Sequence, residues 1–203
     1  MRGKTANKWM HWIFNSLHSL ETSNPNVMQR LRNREMFMKR LTMIFLLLFV
    51  CVGCDQSTKY TAKHFLEGQP TLSYMGDIFR LSYTENTGAF LSMGAGMPEK
   101  LRYALLVVLA SIFLIGFLLF VIRSKKLNSL AVSSSALIIG GGLGNLIDRI
   151  INKGSVIDFM NIGIGPIRTG IFNVADLAIT AGVLMFAAFY AKKSHNQVNS
   201  ADS

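Results

Sequence analysis

Four apolar stretches constrain this chain more than any other feature. The first runs from about Leu41 to Cys54 behind Lys39 and Arg40, and the second from Leu101 to Ile122. The third, rich in Ser, Ala and Gly, covers about Leu127 to Ile147. The fourth covers about Asn173 to Ala191, where Lys192 and Lys193 close it. About 20 residues at roughly 1.5 Å each cross a hydrocarbon core about 30 Å thick, so the second stretch is long enough by itself. The first is short enough to resemble the apolar region of a signal peptide. Composition agrees with lipid as the solvent. Half of the 203 residues are apolar and only 16% are charged, with a mean hydropathy of +0.34; soluble domains carry about a quarter charged residues. Disorder is excluded by the apolar content, and a disulfide scaffold by the presence of only 2 cysteines.

The net charge of +10 raises the question of a nucleic-acid partner, and its placement answers it. Put the N-terminus, the short turn 123–128 and the C-terminal tail on one side of the membrane. That side then holds thirteen Lys/Arg and three Asp/Glu, and the other side eight of each. The excess lies on one face, as expected of the cytoplasm. It orients helices and leaves no basic patch for nucleic acid. The expected architecture is an all-α membrane protein of four transmembrane helices with both termini cytoplasmic. Residues 1–38 read as a basic cytoplasmic arm or a mis-called start, 39–193 as the membrane domain, and 194–203 as a tail. The outer side has two loops, about 55–100 and 148–172. Alternation in Phe79-Arg80-Leu81-Ser82-Tyr83-Thr84 predicts a strand in the first, and Gly163-Ile164-Gly165-Pro166 a turn in the second. A small β-containing extracytoplasmic region follows.

Ionisable groups at the end of a membrane span are expensive and need a reason. Asp55-Gln56-Ser57-Thr58-Lys59 closes the first stretch, and Asp55 and Lys59 share a helix face at i, i+4. An interfacial salt bridge accounts for that spacing. Asn86-Thr87-Gly88-Ala89-Phe90 reads as a turn, or as a loop that brings backbone and amide close to a substrate. In Gly140-Gly141-Gly142-Leu143-Gly144-Asn145-Leu146-Ile147-Asp148-Arg149 the glycines permit close packing. Asn145, Asp148 and Arg149 there place an amide, an acid and a base on one face, which must look away from lipid. Asp158 stands alone between Val156-Ile157 and Phe159-Met160, so its flanks would desolvate it and raise its pKa, although a cap is equally compatible. Asn173 followed by Asp176 has the spacing of a capping box at the start of the fourth span.

Absences narrow the chemistry. Of the histidines His11, His18, His64 and His195, only His64 falls on the outer side, so no zinc-ligand set is spelled there. Gly-x-Ser-x-Gly does not occur. Cys51 and Cys54 form Cys-x-x-Cys inside an apolar run, where packing explains them better than redox chemistry. The outer face is left with Asp, Asn, Arg and Gly, the equipment of an aspartyl hydrolase or of an ion path.

These five segments, in this order across four spans from about Met38 to Lys193, resemble the lipoprotein signal peptidase family, the type II signal peptidases. The matching motifs are Asp-Gln-x-Thr-Lys, Asn-Thr-Gly-Ala-Phe, Gly-Gly-x-x-Gly-Asn-x-x-Asp-Arg, Val-x-Asp-Phe and Phe-Asn-x-Ala-Asp. The resemblance implies an aspartic endopeptidase of the bacterial inner membrane, its active site facing the periplasm. Such an enzyme cuts prolipoproteins just before a diacylglyceryl-modified cysteine. It implies Asp158 and Asp176 as the catalytic pair. Asp55, Lys59, Asn86, Gly88, Asn145, Asp148, Arg149 and Asn173 would shape the site. No metal or other cofactor is implied; the partners are lipid-modified prolipoproteins and membrane lipids, and a monomer is the default. Two departures stand out: the loop motif is shortened to Gly-Ala-Phe where many relatives have a second Ala, and the N-terminal arm has no counterpart.

Two rival readings use the same residues. An ion or proton carrier would also use inward-facing acids, but here they gather at one face with none mid-span. A lipoprotein would explain Val52-Gly53-Cys54 behind Lys39-Arg40, at the cost of three unexplained later spans.

Overall fold

The computed structural model describes residues 25–88 and 98–201. Four of its helices are long and apolar enough to cross a membrane: Pro25–Leu66, Lys100–Arg123, Ser129–Ile151 and Val174–Ala191. The first, α1, spans Pro25–Leu66. The second span joins α2 (Glu99–Ala104), a π-helical turn over Leu105–Leu109 and α3 (Ala110–Arg123). Helix α4 covers Ser129–Ile151 and α5 covers Val174–Ala201. The chain forms two compact units, Met1–Thr42 and Met43–Ser203. The described part of the first unit is helical, with Lys39 Nζ 2.6 Å from Glu35 Oε1. The beginning of the basic arm and Ala89-Phe90 of the loop motif lie outside the described residues.

Helix α1 runs on past Cys54, where the apolar stretch ends, and carries Asp55 and Lys59 within it. No proline follows Pro25 in this helix, and Gly68 takes the left-handed φ of 74° just beyond its C-terminus. The hydroxyls of Thr58 and Thr61 fold back onto the carbonyls of Cys54 (2.8 Å) and Ser57 (2.9 Å), so polar residues do not interrupt the helix.

Helix α4 is the central span. Asn128 caps its start, accepting from the Ala131 N–H at 2.9 Å. Val132, Ile139 and Leu146 form one buried cluster with Ile44 of α1 and with Leu114 and Val121 of α3. The glycine run sets how closely its neighbours come. A Cβ at Gly140 would meet Cys51 of α1 at 2.8 Å, one at Gly142 Leu114 of α3 at 2.7 Å, and one at Gly141 the Ala175 carbonyl of α5 at 2.3 Å. Each neighbour therefore approaches through a missing side chain, the packing device of helices in lipid.

Both connecting loops feed one antiparallel sheet, ordered β1-β2-β3-β4. Strands β1 (Leu72–Tyr74) and β2 (Phe79–Asn86) come from the first loop, and β3 (Val156–Ile164) and β4 (Ile167–Arg168) from the second. The alternating segment is thus a strand, two residues longer than expected. The turn at Gly163–Pro166 joins β3 to β4, with Gly165 at φ 55°. Strand β3 was not foreseen, because its first four residues are buried without alternation. The fold is therefore mostly helical, with a four-stranded sheet fixed across its two loops. Ala62 and Leu66 of α1 pack against Phe159 of β3 and hold the sheet to the helices.

Candidate active site

Five elements converge on the acids. Strand β3 presents Asp158, only 3% exposed although it precedes no helix. The apolar flanks have the expected effect: Ile157 and Phe159 are buried beside it. Asp158 Oδ2 accepts from Asn86 Nδ2 at 3.0 Å, and Oδ1 from Asn173 Nδ2 at 2.6 Å. A register shift between Leu81 and Thr84 in the β2–β3 pairing brings Asn86 opposite Val156 and Thr84 opposite Asp158. Asp176 lies in the first turn of α5. Its Oδ1 accepts from Asn145 Nδ2 at 2.9 Å and its Oδ2 from the Asn173 backbone N–H at 3.2 Å. Asn173 thus binds both acids, and the side chains of Asn145 and Asn173 meet at 3.1 Å.

Burial, opposed by the Asn86 hydrogen bond and reinforced by the negative charge of Asp176, pushes the Asp158 carboxyl up to about 6. A carboxyl of that kind keeps a proton where an ordinary aspartic acid has lost it. Two neighbouring acids with one proton between them can take a proton from water and give one to a carbonyl.

Behind the pair lies a buried ion cluster. Asp55 and Lys59 do pair, at 2.8 Å, and both side chains are buried, 0% and 2% exposed. Lys59 Nζ also reaches Asp148 Oδ2 at 3.0 Å and Asn145 Oδ1 at 3.0 Å. Asp55 Oδ1 accepts from the Ala175 N–H at 2.8 Å and so caps α5 from another helix. Asp148 Oδ2 accepts from the Ile157 N–H at 2.9 Å. Arg149 turns elsewhere and donates from Nη2 to the Gly88 carbonyl at 3.2 Å. Gly88 N–H in turn donates to Asn86 Oδ1 at 3.0 Å, the turn expected of Asn-x-Gly. All ten residues singled out from the sequence therefore belong to one connected set of contacts.

One member escaped the sequence reading. Gln56 Nε2 lies within hydrogen-bond reach of Asp55 Oδ2 (3.2 Å), the Gly144 carbonyl (3.2 Å) and Asp148 Oδ1 (2.9 Å), tying α1 to α4. Its place next to Asp55 in the motif was the available signal, but helical i, i+4 spacing directs attention to Lys59. Among the described residues no group of three His, Cys, Asp or Glu side chains is arranged to hold a metal ion.

Comparison with known proteins follows the same residues. The profile of the family described as Signal peptidase (SPase) II matches residues 47–192. The lipoprotein signal peptidase of Caldicellulosiruptor bescii is 38% identical over 144 residues, covering 71% of this chain and 87% of that protein. That of Chlorobium luteolum is 37% identical over 163 residues, covering 74% and 92%. That of Borrelia hermsii is 33% identical over 155 residues, covering 74% and 90%. A bacterial membrane enzyme solved by the in meso method at 2.3 Å resolution superposes with a TM-score of 0.65 at 26% identity, covering 75% of this chain and 90% of that one.

Proposed function

Because the chain belongs to the signal peptidase II family, we propose that it is a multi-pass inner-membrane protease that removes signal peptides from prolipoproteins by aspartic catalysis. Asp158 and Asp176 are its catalytic pair in this reading. The observation that carries it is the convergence of both carboxyl groups on Asn173, which donates to Asp158 through its side chain and to Asp176 through its backbone.

The chemistry follows from the different surroundings of the two acids. Asp158 is the more deeply buried, and burial favours its protonated form; Asp176 is half-buried and takes the role of the base. Asp176 accepts a proton from the attacking water, while Asp158 donates to the scissile carbonyl oxygen. The resulting gem-diol collapses as Asp176 passes its proton to the amide nitrogen and Asp158 takes one back from a diol hydroxyl. The C–N bond breaks, the amine leaves and both carboxyls return to their starting forms. No covalent enzyme intermediate forms. The cut falls before the diacylglyceryl-modified cysteine. Both termini lie in the cytoplasm and the pair at the periplasmic boundary, where water and the lipidated substrate meet.

The structure gives the rivals little. Asp55 and Asp148 share Lys59 and are not free to carry ions. Helix α1 runs on through Cys54 to Leu66, with Asp55 fixed to Ala175, which supports retention of the first span.

The test is cleavage of a diacylglyceryl-modified prolipoprotein by purified protein in detergent, with a chelator present. Wild type should cleave, and folded Asp158→Asn and Asp176→Asn should not. Near-normal activity in either variant would remove the pair. No cleavage by folded wild type would remove the peptidase reading.

A further inference from the structure

Lys59 is 1% exposed and has three N–H bonds and three acceptors, with none left over. Each acceptor leads to an acid of the catalytic pair. Asn145 takes the ammonium on its Oδ1, and since an ammonium only donates, the amide cannot be turned the other way. Its Nδ2 must then face Asp176, 2.9 Å away. Asp55 takes a second N–H and holds the backbone of Ala175, the residue before Asp176. Asp148 takes the third and holds the backbone of Ile157, the residue before Asp158. One side chain from α1 is thus tied by three short routes to both acids, which come from α5 and β3.

We propose that Lys59 is the positioning residue of the catalytic pair, setting the orientation of Asn145 and the placement of Asp176 and Asp158 without touching the substrate. The inference rests on the catalytic assignment above. It assigns a further role to the ammonium charge, which lies close enough to Asp158 to favour its ionised form. A salt bridge serving only to hold α1 to α4 would require neither the Asn145 contact nor the backbone contacts beside each acid.

The experiment compares Lys59→Gln and Lys59→Arg with wild type, using the lipid-modified prolipoprotein in detergent. Wild type and the inactive Asp158→Asn run alongside, so failure of the peptidase reading is seen in those two and not confused with failure here. Rates are expressed per folded protein, from thermal unfolding of the same samples. In Lys59→Gln we expect kcat to fall at least tenfold with KM within about twofold. The alkaline limb of its pH profile should move upward, because the nearby positive charge is gone. Lys59→Arg keeps the charge but cannot place three donors from one atom, so kcat should fall while the limb stays within a few tenths of a pH unit. If Lys59→Gln does not fold, Lys59→Arg decides through the split between kcat and KM. Wild-type kcat per folded molecule in a folded variant, or a loss confined to KM, would overturn the proposal.

Discussion

Asn173 and Asp176 hydrogen-bond each other twice. Asp176 N–H donates to Asn173 Oδ1 at 3.0 Å, and Asn173 N–H donates to Asp176 Oδ2 at 3.2 Å. This is the reciprocal geometry of a capping box, so the carboxyl proposed to activate water also starts the fourth span. The two roles separate by substitution. Asp176→Asn retains an oxygen that can accept from Asn173, and should unfold within a few degrees of wild type while losing more than a hundredfold in cleavage. Asp176→Ala loses the cap as well, at about 1 kcal/mol, and should unfold about 2–4 °C lower. Thermal unfolding and cleavage of both variants check this.

Asp158 makes stability and activity depend on pH in a stated direction. Its carboxyl is pushed up to about 6 from an ordinary 3.8, so the folded protein binds the proton more tightly than the unfolded chain does. The neutral form therefore favours folding at low pH. That contribution, at most about 3 kcal/mol, is lost as pH rises from about 4 to just above 6. Asp158→Asn cannot ionise and should be more stable than wild type above pH 6, with a flatter melting temperature between pH 4 and 8. For cleavage, the proton on Asp158 is needed, so kcat/KM should decline as pH passes its pKa. Asn86→Ala removes a hydrogen bond that favours the charged form and should move that decline to higher pH. A decline that moves down or stays put would contradict this assignment of the proton.

What the sequence made legible was local. Apolar length showed the four helices able to cross a membrane, and the spacing of Asn173 and Asp176 showed the cap. Bulky neighbours on both sides of Asp158 showed a buried acid. The i, i+4 spacing of Asp55 and Lys59 showed their pairing but not their burial, because burial depends on α4 and α5, about 90 and 120 positions away in sequence. The same reason hid Gln56, whose partners Gly144 and Asp148 lie on another helix. Strand β3 was missed because period-two alternation marks strands with one wet face, and Val156 to Phe159 are buried throughout. Signals carried by one element were readable; those made where elements meet were not.

Arg149 should matter through the loop it holds. Its Nη2 donates to the Gly88 carbonyl at 3.2 Å, and Gly88 closes the turn that positions Asn86. Its Nε is buried and has no hydrogen-bond partner among the described residues. Arg149→Met should lower kcat/KM by at least tenfold, on the order of one charged hydrogen bond. Arg149→Lys should recover little of it, since a single ammonium replaces a fork of donors. Steady-state kinetics of the two variants, with unfolding temperature as a control, tests this; full rescue by lysine would leave only a charge requirement.

Gly144 offers the sharpest packing test. A Cβ there would lie 2.5 Å from Asp55 Oδ2 and 3.3 Å from the Ala175 side chain, and neither neighbour can retreat. Asp55 is held by Lys59 and by the Ala175 N–H, so any shift disturbs the ion cluster and the start of α5 together. Gly144→Ala should therefore destabilise by about 1–3 kcal/mol and lower cleavage per folded molecule, although Gly144 touches neither acid of the pair. At Gly116 of α3, by contrast, an added Cβ would meet nothing within 4 Å. Gly116→Ala should leave cleavage intact and raise the unfolding temperature slightly, by the higher helix propensity of alanine. Equal behaviour of the two variants would mean that the carboxylate of Asp55 has room that this packing denies it.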